Sequence, residues 1–317
     1  MIKDFICLST VTGNRADYVQ GGGGNISYKV NSTDMLIKAS GCLLKEMTSQ
    51  EGYVCVNYSN IIDFLKSHPQ DEDQVNHYIN EQIIFPVTEK KLRPSIETGF
   101  HTLIRHKFVS HIHSVYANIL NCCVEGPKLI QAYFRDALVI PYKRPGLKLT
   151  LSIQEALTEK DASLFFLQNH GLIVAAHTVG DVFQEQDYVT EKIKTLFNLG
   201  LFPEPLIETV NHKFYSRTLF VKEKLEKYGI EFIQNHILFP DQVVYFSKEK
   251  IKSDDLGIYY DTSFNEAYAI EETLLAYFFI LESMKANTLT PLFLPKREAK
   301  EILDMESEKH RKQVIQA

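Results

Sequence analysis

Two histidines separated by one residue, His111 and His113, are the side chains in this sequence best suited to bind a metal ion. They end a short segment, 108–113, whose alternation of apolar and polar residues is typical of a β-strand. Residues two apart on a strand point to the same face, so both imidazoles should project side by side. Glu97 follows a Pro-Ser-Ile turn sequence upstream and could place a carboxylate beside them. With 11 histidines in the chain, such a pair can also arise by chance.

The third candidate ligand is His170, in the polar hinge Asn169-His170-Gly171. Strongly apolar segments at 164–167 and 172–175 flank the hinge and predict two buried strands. A pair of core strands gains nothing from an imidazole in its turn, so a metal ligand is favoured over a structural histidine. Three neutral histidine ligands would leave positions on the ion open for a substrate.

A run of four glycines at 21–24, followed by Asn25, cannot form regular structure at low cost. One interpretation is a flexible linker, although no domain precedes the run for it to join. The other is a phosphate cradle, in which backbone N–H groups approach the anion and Asn25 and Ser27 add side-chain partners. The run matches neither a dinucleotide-binding motif nor a P-loop, so a nucleotide is not indicated.

The composition is that of an ordinary soluble globular protein, with 44% hydrophobic and 23% charged residues among 317. A net charge of −6 and scattered basic residues give no support for nucleic-acid binding. No segment approaches the roughly 20 apolar residues of a membrane helix, and the N-terminus lacks the features of a signal peptide. The five cysteines form no C-x-x-C pair and are predicted to be reduced thiols, which favours a cytoplasmic location.

Sequence periodicity predicts the helices and strands that must position these residues. His101 lies one helical turn after Glu97, where we expect it to stabilise the helix or support a ligand. The helix over 181–198 is expected to be capped by Asp181 and to stop at Gly200. The predicted helices of this part are 1–20, 60–67, 71–81, 98–107, 114–122, 130–137, 152–159 and 181–198, and the predicted strands are 26–30, 35–39, 53–58, 108–113, 138–142, 164–167 and 172–175.

Pro203 and Pro205 mark the best candidate for a domain boundary, because two prolines in three residues end a helix and stiffen a connector. The sequence therefore predicts a catalytic domain over 1–200 and a C-terminal α+β extension over 201–317, which covers the site or forms an interface. In the extension, helices are predicted at 211–228, 265–285 and 296–313, and short strands at 231–237 and 242–246.

Five segments, GGGGNISYK, KASG, PSIE, HIH and NHGLIV, follow one another in an order that resembles the class II aldolase/adducin family over roughly residues 18–200. The resemblance implies an α/β fold, a three-layer α/β/α sandwich around a mainly antiparallel sheet, with Zn²⁺ or another divalent transition metal as cofactor. It implies that His111, His113 and His170 are the metal ligands and that Glu97 is the catalytic carboxylate. The phosphate-binding positions that it implies are Gly24, Asn25, Ser40, Gly41 and Ser95.

Within the family, the chain is most similar to the aldolase part of bifunctional rhamnulose-1-phosphate aldolase/alcohol dehydrogenases, through PSIET and the segments 240–244 and 306–309. Ile96 stands where many sugar-phosphate aldolases have a second serine. The family often uses a tyrosine from a neighbouring subunit as proton donor, for which Tyr133 and Tyr142 are candidates. The resemblance implies a small phosphorylated sugar or sugar acid as substrate and a homo-oligomer, with a tetramer as the common form.

The activity implied is that of a zinc-dependent lyase that cleaves or forms a C–C bond in a phosphorylated ketose through an enediolate. Sugar-phosphate epimerases, dehydratases and decarboxylases share the scaffold and remain alternatives. A non-catalytic, adducin-like interaction module is a further alternative, but such members lack the metal ligands that this sequence has. The sequence leaves the choice among the enzymes open.

Overall fold

An eight-stranded sheet forms the centre of the computed structural model, which describes residues 2–85 and 92–305. Its strands are β1 (Asn25–Lys29), β2 (Asp34–Lys38), β3 (Tyr53–Asn57), β4 (Ile83–Phe85), β5 (Phe108–Ile112), β6 (Leu138–Ile140), β7 (Leu164–Leu167) and β8 (Gly171–Ala176). Their order across the sheet is β4-β3-β2-β1-β5-β8-β7-β6. Every neighbouring pair is antiparallel except β6 and β7, so the sheet is mainly antiparallel, as predicted.

Helices cover both faces of this sheet because its strands are apolar on both sides. On β5, Phe108 and Ile112 join one hydrophobic core, and Val109 joins another on the opposite face. The result is the predicted three-layer α/β/α sandwich, which is confirmed. The helices of this part are α1 (Ile2–Gly13), α2 (Tyr58–Leu65), α3 (Glu72–Glu81), α4 (Thr98–Leu103), α5 (Val115–Asn121), α6 (Gly126–Tyr133), α7 (Leu147–Glu159) and α8 (Val179–Phe197).

The C-terminal part adds a small antiparallel sheet and five helices among the described residues. The long helix α12 is apolar over most of its circumference and shares one hydrophobic core with α5 of the first part. Among the described helices, none combines the length and hydropathy required to cross a membrane. The elements are β9 (Ile207–Val210), β10 (Lys213–Ser216), α9 (Leu219–Tyr228), α10 (Ile230–Asn235), α11 (Pro240–Tyr245), β11 (Ile251–Asp254), β12 (Gly257–Tyr260), α12 (Phe264–Ala286) and α13 (Lys296–Asp304).

Three predictions for the C-terminal part are wrong in detail. The helix expected over 211–228 begins only at Leu219, because Asn211 and His212 adopt positive φ angles of 49° and 62° and close a β9–β10 hairpin. The strands expected at 231–237 and 242–246 are the helices α10 and α11. Proline at the first position of α11 and an acidic residue in its first turn are helix-start signals that outweigh its β-branched residues.

Helix ends also differ from the predictions. The helix expected over 1–20 ends at Gly13, and the one expected over 98–107 ends at Leu103. Thr178, not Asp181, caps α8, since its hydroxyl oxygen accepts from the Asp181 N–H at 3.2 Å. This helix ends at Phe197, before Gly200 is reached, and Asn198 follows it in a left-handed conformation. The last helix ends at Asp304, because Met305 is extended with φ of −65° and ψ of 128°. The rest of its predicted span, 306–313, lies outside the described residues, as does segment 306–309.

Candidate metal centre

The sheet order brings the three predicted histidine ligands together. His111 lies on β5 and His113 directly follows it, while His170 lies in the turn between β7 and β8, and β8 is the neighbour of β5. One nitrogen from each imidazole lies within 4.8 Å of the others, and the Nε2 atoms of His111 and His113 are 3.2 Å apart. All three side chains are buried. The group could therefore hold a metal ion.

The turn that carries His170 is fixed by its neighbours. Asn169 adopts a left-handed conformation, with φ of 51°, and its side-chain amide donates to two backbone carbonyls of the C-terminal part, those of Leu238 and Leu292, at 2.8 and 2.6 Å. Gly171 permits the close approach of β8 to β5, because a Cβ atom there would lie 2.4 Å from the Ile112 carbonyl oxygen. A larger residue at this position would push the strands apart.

Hydrogen bonds define which nitrogens of the imidazoles face the centre. The Nδ1 atom of His111 lies 3.2 Å from the Leu172 carbonyl oxygen, and that of His113 lies 2.5 Å from Oδ2 of Asp241. Both partners accept, so Nδ1 carries the proton and Nε2 keeps a lone pair for a metal. Burial lowers the pKa of His111 to about 4, so this imidazole is neutral near pH 7. A set of imidazole nitrogen donors fits a divalent transition metal.

Glu97 lies against this group at the start of α4. Its carboxyl oxygens are 3.6 Å from Nε2 of His111 and 3.5 Å from Nε2 of His170. The Asn25 side-chain amide donates to Oε2 of Glu97 at 2.6 Å, and Asn25 Oδ1 accepts in turn from Nε2 of His101. His101 therefore supports Glu97 through Asn25 and does not contact it directly. Burial lowers the pKa of His101 well below its usual range, which keeps this imidazole neutral.

The predicted phosphate-binding residues line one pocket together with Glu97, His113 and His170. These residues are Gly24, Asn25, Ser40, Gly41 and Ser95. The amide nitrogen of Asn25 already donates to Glu97 and to Ser95 Oγ, at 2.6 and 3.2 Å, so its side chain is committed within the protein. Ser95 Oγ accepts from Asn25 and from the Glu97 N–H, and none of the described residues accepts its proton, which could be donated to an anion.

The glycine run differs from the expected cradle. The N–H of Gly21 donates to Glu272 at 2.7 Å, that of Gly22 to the Tyr245 hydroxyl at 2.9 Å, and that of Gly23 to a backbone carbonyl at 3.0 Å. Three of the four glycines thus use their N–H groups inside the protein. Gly24, the glycine of this run that the family resemblance implies as a phosphate contact, lines the pocket and adopts a φ of +66°.

Sequence reasoning missed two charged residues of this pocket. Lys38 is buried there, with its ammonium group 3.2 Å from the Gly22 carbonyl oxygen, and it is the first residue of the KASG segment. Asp241 also lines this pocket, and it lies in segment 240–244, whose similarity to a family subgroup implies no role for it. The candidate proton donors Tyr133 and Tyr142 do not line the pocket of this chain.

Comparisons with known proteins agree with this fold. A sequence model described as Class II Aldolase and Adducin N-terminal domain matches residues 7–196. An uncharacterized oxidoreductase of Bacillus subtilis, YuxG, is 26% identical over 208 residues, which cover 62% of this chain but 30% of that protein. The 3-oxo-tetronate 4-phosphate decarboxylase of Escherichia coli is 28% identical over 124 residues, which cover 34% of this chain and 57% of that enzyme.

A solved structure has the same fold. The N-terminal class II aldolase domain of a conserved protein from Thermoplasma acidophilum aligns with a TM-score of 0.55 and 22% identity, and covers 62% of this chain and 92% of that domain. At this identity the likeness speaks for the fold alone. Because the family match extends over more than half of the sequence, the chain belongs to the class II aldolase and adducin family.

Proposed function

We propose that this chain is a metal-dependent lyase of the class II aldolase type, which cleaves or forms a C–C bond in a small phosphorylated sugar or sugar acid. The observation that carries the proposal is the buried convergence of His111, His113 and His170, with Glu97 against two of them. Three neutral nitrogen ligands suit Zn²⁺ or another divalent transition metal and leave positions for substrate oxygens. An adducin-like interaction module has no need of such a group.

The proposed chemistry assigns a proton transfer to Glu97. When bound, a divalent cation supplies Lewis-acid stabilisation of negative charge on the substrate oxygens. In the direction of C–C bond formation, Glu97 removes a proton from the carbon next to the substrate carbonyl, and in cleavage it returns that proton. Asn25 and His101 hold the carboxyl group in place, which limits the geometries it has to search during the transfer.

The phosphate would lie at the other end of the pocket. Lys38 provides a positive charge, and the Ser95 hydroxyl has its proton free to donate, as described above. Ser40 and Gly41 form the adjoining turn, in which Gly41 adopts a φ of +83° that glycine favours. Ile96 offers no hydroxyl, so we expect Lys38 to replace the contact that a second serine would make.

Two reactions of this class leave the same carbanion, so both are candidates. Cleavage of a ketose 1-phosphate between C3 and C4 leaves the bonding electron pair on C3, next to the C2 carbonyl. Loss of CO₂ from a 3-oxo acid 4-phosphate of four carbons leaves the pair on C2, next to the C3 carbonyl. Protonation gives dihydroxyacetone phosphate in both cases. The Escherichia coli relative is named a 3-oxo-tetronate 4-phosphate decarboxylase, which is the reason to test the second reaction as well. Epimerases and dehydratases use related anions and remain alternatives.

The test compares the two substrates on one preparation. Protein loaded with Zn²⁺ is assayed for aldehyde release from ketose 1-phosphates and for CO₂ release from 3-oxo-tetronate 4-phosphate, with dihydroxyacetone phosphate as the common product. Glu97→Gln should keep the metal and lose turnover, whereas His111→Ala and His170→Ala should lose the metal. His77→Ala, on the exposed face of α3, is the matched control. Full activity in Glu97→Gln, or one metal per chain in His111→Ala, would contradict the proposal.

We further propose a homo-oligomer, with a tetramer as the first form to test. This proposal is supported by the position of Tyr133 and Tyr142 outside the pocket of their own chain, since the family's proton donor comes from a neighbouring subunit. A boundary near 201–205, a cytoplasmic location and the likeness to the rhamnulose-1-phosphate aldolase part stay predictions. Sedimentation of the purified protein measures the subunit number, and a monomer would contradict the proposed assembly.

A further inference from the structure

The buried carboxyl group of Asp241 reaches the candidate metal centre from a segment outside the matched family domain. Its Oδ2 atom lies 2.5 Å from Nδ1 of His113, and the side chain is 1% exposed. The sequence separation is 128 residues. Asp241 is not in the group whose ligand atoms converge, because it contacts the opposite nitrogen of the imidazole ring from the one that faces His111.

The surrounding structure is shaped to hold this contact. A Cβ atom on Gly23 would lie 2.6 Å from Oδ2 of Asp241 and 2.7 Å from Nδ1 of His113, so only glycine leaves room for the pair. Gln242, the next residue, donates to the Ile233 carbonyl at 2.8 Å and accepts from the Leu238 N–H at 2.9 Å. These bonds fix the start of α11, and therefore the position of the carboxyl group.

We propose that Asp241 is a positioning residue for the metal centre, which makes the C-terminal part a structural component of the site. Asp241 holds the proton of His113 on Nδ1 and fixes the orientation of the ring, so that the Nε2 lone pair points at the ion. A carboxyl group behind a ligating imidazole also raises the basicity of the ligand. The inference rests on the proposed function, because it assumes that the three histidines bind a metal.

The alternative role for Asp241 is to dock the C-terminal part onto the glycine run. Glu272 and Tyr245 make such docking contacts, since they accept from the N–H groups of Gly21 and Gly22. Glu272 is also a buried carboxyl group of the C-terminal part. Glu272→Gln is therefore a matched control, because it changes a docking contact by the same chemical substitution as Asp241→Asn.

The experiment measures metal affinity and the ligand field, with Zn²⁺ and Co²⁺ as the probes. Zn²⁺ affinity is obtained by chelator competition for the full-length wild type, Asp241→Asn, Asp241→Ala, Glu272→Gln and His113→Ala. We expect about a 10- to 100-fold loss of affinity in Asp241→Ala and a smaller loss in Asp241→Asn, whose amide oxygen can still accept from Nδ1. The visible spectrum of the Co²⁺ form should shift in both Asp241 variants and stay unchanged in Glu272→Gln.

Each result supports or overturns the proposal. If Asp241→Asn binds Zn²⁺ as tightly as wild type and its Co²⁺ spectrum is unchanged, while His113→Ala loses the metal, the inference is overturned and the proposed function stands. An equal loss of affinity in Glu272→Gln also overturns it, in favour of docking. If the wild type binds neither ion, the metal-dependent function itself fails. Asp241→Asn is close in shape to the native residue, so it provides the test even if Asp241→Ala does not fold.

Discussion

Replacing Gly171 with alanine tests whether the close approach of β5 and β8 sets the geometry of the metal centre. The new Cβ atom would lie 2.4 Å from the Ile112 carbonyl oxygen, about 1 Å closer than an ordinary contact. It would also lie 3.1 Å from His111 and 3.3 Å from His113. The carbonyl oxygen belongs to the backbone of β5 and cannot rotate away, so the two strands must separate or the turn carrying His170 must move.

The size of the effect follows from this overlap. Overpacking of a buried position costs about 1–3 kcal/mol of the free energy of unfolding. An unfolding entropy of about 2.1 cal/mol/K per residue gives this chain roughly 0.7 kcal/mol/K, so the Tm of the metal-free protein should fall by about 1.5–4.5 °C. Since a displacement of about 0.5 Å already degrades a binding site, we expect metal affinity to fall by about tenfold or more.

The assay combines thermal unfolding of the metal-free protein with Zn²⁺ affinity by chelator competition. Gly180→Ala is the control, because Gly180 lies in α8 and its nearest contact would be an ordinary 3.8 Å from Thr178. Alanine in a helix should stabilise the protein by about 0.5–1 kcal/mol and leave metal affinity unchanged. The reasoning is refuted if Gly171→Ala keeps its affinity, whether or not its Tm falls, because the strands would then separate without moving the imidazoles.

Three further predictions concern buried groups. His101→Ala should lower the free energy of unfolding by about 2–4 kcal/mol, since it removes the imidazole that Asn25 and Ser27 contact in the core. Urea denaturation measures this loss, and a value below about 1 kcal/mol would contradict the prediction. Burial lowers the pKa of Lys29 to about 7 from 10.5, so between these pH values the amino group is protonated in the unfolded chain and neutral in the folded one. Unfolding therefore takes up a proton, and the free energy of unfolding should rise by up to about 2.7 kcal/mol between pH 7 and 9. Lys29→Met should remove that rise, whereas the exposed Lys252→Met should keep it. Burial raises the pKa of Cys123 to about 12 and that of Cys122 well above its usual range. A thiol reagent at pH 8 should therefore label the exposed Cys7 first and react with Cys122 and Cys123 only after unfolding. Fast labelling of all three thiols would argue against the burial of this pair.

The arrangement of the site was predictable where a local rule was enough. Alternation along a strand places His111 and His113 on one face, and their ring centroids are 5.0 Å apart. An imidazole in the turn between two apolar strands predicted a functional role for His170, and the sheet order brings it to the pair. Their role as metal ligands, and that of Glu97 as the catalytic carboxylate, stay predictions, since the convergence supplies a fitting site and not a bound ion.

Local reasoning failed where short-range signals competed. Segment 207–216 carries alternating residues typical of strands, yet the charged residues that follow favoured one continuous helix from 211. Only the left-handed conformations of Asn211 and His212 separate the hairpin from the helix, and neither residue is the glycine that usually signals such a turn. In α11 the β-branched Val243 and Val244 favoured a strand, whereas the preceding Pro240 and Asp241 start a helix.

The glycine run shows why the rest could not be predicted from its own sequence. Glycines are needed where backbone N–H groups approach a phosphate, and they are needed equally where a neighbouring side chain leaves no room for a Cβ atom. The composition of the run alone does not distinguish these two causes. Here Gly21 lies under the Tyr245 ring, with a virtual Cβ 2.8 Å from it, and Gly23 lies under the Asp241–His113 pair. Tyr245 and Asp241, which require these glycines, are more than 200 residues away along the chain, and folding brings them into contact. The glycines at 21 and 23 therefore leave space for protein side chains, while Gly22 and Gly24 line the pocket that contains Glu97.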